Sequence, residues 1–231
     1  HFIQGDNVGL VFRRQQPVDK DFYVFSSKFV ISDGFIRSDN KGSESIAPLY
    51  LYENGDKVSN LNNEVVKKIE DIVGQTTPYD IFDYVYAILH SPAYRRRYGE
   101  FLKNDFPRVP HPYDKEIFWK LVPLGTKLRN LHLLSVSEVS SSNTSFPIAG
   151  SDIVGVPTFK KNRVYINDEQ YWEGVPKEVW EFYVGGYQPA QKYLKDRKGK
   201  KLSSAEFENY EKMIVALNET IKIMSEIDKV I

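Results

Sequence analysis

The chain has 231 residues, with 31 basic and 31 acidic side chains, 41% hydrophobic and 14% aromatic residues. That length can bury a core as one large domain or two small ones, and zero net charge excludes bulk attraction to nucleic acid or an anionic membrane. The absence of cysteine excludes disulfides, thiolate zinc sites and a cysteine nucleophile. It fits a reducing, cytoplasmic setting, and no apolar run is long enough to span a membrane.

Residues 1–60 read as β-rich. Val8–Phe12, Phe22–Phe25, Phe29–Ile31 and Leu49–Tyr52 are aromatic and β-branched runs, with turn signals at Asp33-Gly34 and Asn54-Gly55. The chain begins without an initiating Met and is strand-like by Val8, the expectation for a domain cut from a longer protein. From Asn62 the apolar period becomes helical through Val65, Ile69 and Ile72, and Gly74 closes that helix. Thr77-Pro78 opens a second, with Ile81, Phe82, Val85, Ile88 and Leu89 as its apolar face. Ser91-Pro92 ends it and starts a third helix, which runs to about Lys103. A fourth, Lys115 to Leu134, carries Phe118, Leu121, Leu124, Leu128 and Leu131 on one stripe.

Ser135 to Ser151 is Ser-rich, with Asn143, Thr144 and Gly150, and reads as a loop or linker. Residues 153–172 are β-like again, most clearly at Arg163–Ile166. A helix from near Pro176 is expected to end at Gly185-Gly186, and Pro189 to open another that Gly199 stops. Ser203 and Glu206 form a capping box, and Phe207, Tyr210, Ile214, Leu217, Ile221 and Met224 follow as an amphipathic stripe. The predicted class is α+β. A β-rich then helical region (1–134) precedes the linker (135–151), and a small β segment with the C-terminal amphipathic helix (152–231) packs with it as one domain.

Catalytic signatures are missing. There is no GxxxxGK[ST] loop, no GxGxxG frame and no Asn/Asp-Pro-Pro-aromatic tetrad, and His1, His90, His111 and His132 lie apart from one another. Asp80 with Asp83 and Asp168 with Glu169 are paired acids, a pattern that usually solubilises a helix or turn. A non-catalytic chain without metal or cofactor is therefore expected. The enzyme alternative would use Asp80, Asp83 or His90.

Cations are more telling. Phe182 to Lys201 holds six Lys or Arg against one Asp, interleaved with Tyr183, Tyr187 and Tyr193. Residues 203–231 instead hold three Lys against six acids, so opposite charges are segregated along the chain. Lys192, Lys195 and Arg197 are suited to neutralise phosphates, with Tyr187 and Gln188 shaping the turn beside the backbone. Arg13, Arg14 and Gln15 follow the first strand, and Arg and Gln match guanine and adenine edges. A cationic hairpin end can equally guard an edge against strand pairing. Arg95 and Arg96 lie in a YRRRY run whose guanidinium groups can fork onto phosphate or cover a helix's outer face. Lys160, Lys161 and Arg163 read as a hairpin turn, either a phosphate clamp or an ordinary polar turn, and Lys28 completes the candidates.

Several blocks together resemble a known family: PLYLYENG (Pro48–Gly55), the stretches Tyr79–Pro110, Phe118–Leu134 and Tyr165–Gly199, and the closing helix. They are similar to the C-terminal specificity region of type ISP restriction-modification enzymes and related single-chain methyltransferase-endonucleases, over roughly residues 48–228. The resemblance implies a target-recognition domain that binds double-stranded DNA. It also implies an upstream methyltransferase module of the same polypeptide, which moves a methyl group from S-adenosylmethionine to adenine N6, and a separate nuclease that cuts unmodified DNA. No single base-reading residue transfers from the family to this sequence. The alternative is a non-catalytic module that docks another subunit through the Phe207–Met224 stripe.

Overall fold

The computed structural model describes residues 1–14, 22–32, 44–134 and 144–231. Gln15 and the Asp33-Gly34 turn lie outside the described residues. The chain divides into two compact units, 1–135 with 223–231, and 136–222. The α+β expectation holds: among the described residues seven helices accompany small antiparallel sheets.

In the first unit, β1 (Gly9–Phe12) lies between β2 (Phe25–Ser27) and β3 (Ser45–Pro48), antiparallel to both. Leu49 breaks the run, and β4 (Tyr50–Glu53) pairs with β5 (Asp56–Ser59) as a hairpin. Its turn residues Asn54 and Gly55 both have positive φ, 51° and 92°, the type I′ geometry that matches strand twist. Phe29–Ile31, expected as a strand, is not one. Ser27 Oγ donates to Phe29 O at 2.9 Å and accepts from Phe29 N at 3.0 Å, a local closure that competes with the ladder.

Capping side chains start the helices where predicted. Asn62 caps α1 (Asn63–Val73) and Thr77 caps α2 (Pro78–His90), the latter reciprocally with Asp80. Ser91 caps α3 (Pro92–Leu102), and Asp114 caps α4 (Lys115–His132). The α2 and α4 helices touch at Gly125, where an added Cβ would stand 1.9 Å from the Asp83 carbonyl oxygen. Gly125→Ala must therefore part the two helices. We expect a loss of about 1–3 kcal/mol, the usual cost of overpacking, read as a lowered urea midpoint for this unit.

In the second unit, β6 (Thr158–Lys160), β7 (Arg163–Tyr165) and β8 (Tyr171–Glu173) form one antiparallel sheet. Ser145 bridges to Glu173 by two backbone bonds of 3.2 and 2.8 Å. The chain is therefore already built into the sheet within the expected loop. The helices here are α5 (Lys177–Glu181), α6 (Pro189–Lys195) and the start of α7 (Ser204–Val230). Val164, Ile166, Trp172, Val179, Leu194, Tyr210 and Ile214 share its core. The α7 stripe is thus largely internal: Tyr210, Ile214 and Leu217 are buried, and Phe207 and Ile221 pack against them. An interaction module using that stripe would have to unpack its own core. The last turns of α7 belong to the first unit, where the Asp228 carboxylate accepts from Ser91 Oγ at 2.6 Å and Ala93 N at 3.0 Å at the start of α3.

Candidate nucleic-acid interface

The glycine pair after α5 does not cap a helix. The helix ends at Phe182, and Gly185, with φ of 52°, makes a tight reversal in which Val184 N donates to Tyr187 O at 3.0 Å. The reversal leaves Tyr183 and Tyr187 40% and 37% exposed. It then delivers the chain to Gln188, the N-cap of α6. Residues 188, 191, 192 and 195 follow the i, i+3, i+4, i+7 pattern and so share one helix face. On the opposite face, Ala190 and Leu194 are fully buried.

That outer face and the two tyrosines line a shallow concavity of about 360 Å³. Gln188 Nε2 donates to Glu181 O at 3.2 Å and Gln191 Nε2 to Trp180 O at 3.1 Å. Both amides therefore satisfy carbonyls left over at the end of α5 and fix the α6 face. Lys192 Nζ donates to both oxygens of Asp196 at 2.9 and 2.7 Å, and Lys195 Nζ to Gln191 Oε1 at 3.0 Å. The structure thus brings Tyr187, Gln188, Lys192 and Lys195 together on one local face. Tyr183, Gly186, Gln191 and Asp196 complete the lining; Gln191 was legible from its i+3 spacing to Gln188, and Asp196 from its i+4 spacing to Lys192.

Arg197 is placed differently. Its Nε donates to Glu206 Oε1 at 2.8 Å, its Nη1 to Tyr193 O at 3.0 Å, and its guanidinium lies 3.6 Å from the Tyr193 ring centre. Glu206 also accepts from Ser203 N at 2.9 Å. That backbone bond and the Arg197 contact hold its carboxyl down at about 2. Arg197 therefore joins the start of α7 to α6.

The β6–β7 hairpin turns at Lys161 and Asn162, with φ of 50° and 58°, again type I′. Lys160 and Lys161 project exposed from it. Arg163 is engaged within the sheet: its Nε and Nη2 both reach Glu173 Oε1 across the strands, at 3.0 and 2.6 Å.

In the first unit, the two adjacent arginines just past β1 point to different sides. Val11 and Arg13 face inward, each 1% exposed, and Arg14 faces out. Arg13 Nη1 donates to Tyr23 Oη at 3.2 Å, so Arg13 supports the sheet. Arg14 is exposed, with Asp105 3.7 Å from its Nε. Arg95 turns inward as well: its Nε donates to Leu89 O at 2.7 Å and its guanidinium lies 5.4 Å from the Phe22 ring. Desolvation lowers it to about 10, still charged at neutral pH. Arg96 and Lys28 are exposed, Arg96 with Asp228 at 3.5 Å.

The residues of the enzyme alternative have partners within the fold. Asp80 belongs to the α2 cap, Asp83 is buried against Arg129, and His90 is buried with its Nδ1 2.8 Å from Tyr86 O. Among the described residues no three His, Asp or Glu groups gather as a metal site.

The sequence pattern of the Type ISP C-terminal specificity domain matches residues 1–226. The chain belongs to that family. No curated protein sequence is similar to this specificity domain. Among solved structures, the cryoEM DrdV–DNA complex is similar with TM-score 0.72 at 20% identity, over 96% of this chain and 25% of that one. A nuclease-deletion mutant of the Type ISP restriction-modification enzyme LlaGI, with a DNA substrate mimic, gives 0.66 at 22% identity over 96% and 21%. The ATP-dependent Type ISP enzyme LlaBIII bound to DNA gives 0.71 at 18% over 98% and 16%. The specificity domain thus shares their fold and spans a quarter or less of each of those chains.

Proposed function

We propose that this chain recognises a duplex DNA sequence as the C-terminal part of a restriction-modification enzyme, presenting a target adenine to a methyltransferase module on the same polypeptide. The observation that carries this reading is the match of nearly the whole chain to a specificity domain. DNA-bound neighbours of the same fold support it. In this reading S-adenosylmethionine is held by the methyltransferase module, cleavage belongs to a separate nuclease, and the enzyme works in the cytoplasm. The two units act together as one target-recognition domain.

The exposed cations divide by role. Lys160 and Lys161 at the hairpin tip and Lys192 and Lys195 on α6 take phosphates, which position the protein without reading sequence. Arg14, beside the undescribed Gln15, is the remaining first-strand candidate for a base edge, and Lys28 and Arg96 add surface charge. Lys195→Ala is expected to weaken every duplex alike and to lower the slope of log affinity against log salt by about one unit. Arg14→Ala is expected to cost ~1–3 kcal/mol and to relax one position of the target. Gel-shift titrations across a salt series check both. Equal losses for both variants on cognate and scrambled duplexes, with unchanged salt slopes, contradict the assignment.

A further inference from the structure

We infer that the concavity between the Gly185 reversal and α6 receives a single unpaired nucleotide, with its base against Tyr187 and its phosphate on Lys192 and Lys195. The inference rests on the DNA-recognition reading and adds a ligand to it. The concavity, at about 360 Å³, lies near the small end of ligand pockets, which run roughly 300–1,000 Å³. Its size suits one nucleotide and not a duplex groove.

The lining chemistry agrees. Tyr183 and Tyr187 are the most exposed tyrosines of the second unit, whereas Tyr210 is fully buried and Tyr165, Tyr171 and Tyr193 are half-buried. An exposed ring beside cations is a stacking platform, and stacking tolerates any base because each has a π-face. Gln188 uses one amide hydrogen on Glu181 O, which leaves its second hydrogen and its Oε1 to meet a base edge. A neighbouring donor and acceptor complement the Watson–Crick edge of any of the four bases, so the site is selective for an unpaired base and not for its identity. Lys192 is held by Asp196 through an exposed i, i+4 pair, an interaction worth little in water and readily exchanged for phosphate. With Asp196 opposing two lysines, the lining carries about one net positive charge. That is enough for one phosphate and too little to track a strand.

The test compares three ligands of one arbitrary sequence with the full chain: a paired duplex, the same duplex with one central unpaired 2-aminopurine, and that strand alone. The bulged duplex is expected to bind between about 5- and 150-fold tighter than the paired one, the range of one base stacked on an aromatic ring. Bound 2-aminopurine is expected to be quenched. Tyr187→Ala should abolish both effects, so that bulged and paired duplexes bind alike, and Tyr187→Phe should retain them. Because Tyr187 is exposed, circular dichroism of the variant should be unchanged. Paired-duplex binding without a bulge preference, or a preference that survives Tyr187→Ala, overturns the inference and leaves the DNA reading standing. If none of the ligands binds with steep salt dependence, the DNA reading itself fails and the pocket assignment falls with it.

Discussion

Arg129→Met is expected to destabilise the first unit by about 3–5 kcal/mol, because it strands a buried carboxylate. Asp83 is 2% exposed. It accepts from Arg129 Nε at 2.6 Å and Nη2 at 2.9 Å, and from Thr126 Oγ1 at 2.7 Å. The guanidinium fork thus matches the carboxylate bidentately, with the Tyr79 ring 4.9 Å away on its face. Removing the cation leaves only the threonine hydroxyl to offset the desolvation of Asp83. Replacing both partners, as Asp83→Leu with Arg129→Met, is expected to recover a large part of the loss, since the main penalty is the unpaired charge. Hydrogen exchange of the α2 and α4 amides reads this unit separately from the other. A single variant within about 1 kcal/mol of the parent would show that the pair is dispensable.

The second large effect is acid lability above the range where carboxylates titrate. Tyr86 Oη lies 2.7 Å from His132 Nδ1, and His90 Nδ1 lies 2.8 Å from the Tyr86 carbonyl. A carbonyl only accepts, so His90 carries its proton on Nδ1. Burial, then the nearby Arg95 charge, lowers His132 to about 4, and the same causes with His132 itself hold His90 well below the ordinary imidazole range. Both are therefore neutral in the folded state and take up protons on unfolding below about pH 6.5. Where the unfolded state binds more protons, stability falls as pH falls. The contribution is fully present above about pH 6.5 and is lost progressively down to about pH 4. His132 alone should cost on the order of 1–2 kcal/mol at pH 5, with His90 adding in the same direction. Urea midpoints between pH 7 and 5 check the slope, and His132→Gln is expected to flatten it. A midpoint constant across that window would mean that the imidazoles are solvated.

Local chemistry was the most legible part of the fold. Asn62, Thr77, Ser91 and Ser203 start their helices because a cap is decided within one turn of chain. The Asn54-Gly55 and Lys161-Asn162 turns were likewise legible. Strands β3 and β5 were not: they are four residues each and half-exposed or exposed, so they lack a strong apolar period. Phe29–Ile31 has strand composition, yet Ser27 ends the ladder before it.

The candidate interface divides along the same line. The α6 face could be drawn from spacing alone, and its concavity follows from the Gly185 reversal. Arg13 and Arg14 are adjacent and chemically identical, and only the fold just past β1 sends one inward. Arg163 and Arg197 are taken up by Glu173 and Glu206, ten and nine residues away. Pairings of that kind depend on the sheet register and on the packing of α6 against α7. Counting cations along a chain cannot reveal which ones the fold consumes.

The account turns on recognition of sequence in duplex DNA, and repeated selection from a randomised duplex pool tests it most directly. The protein should enrich one short recurrent motif, with Lys195→Ala enriching the same motif more weakly. A pool that remains random after selection, while the protein retains its native circular dichroism, would contradict it.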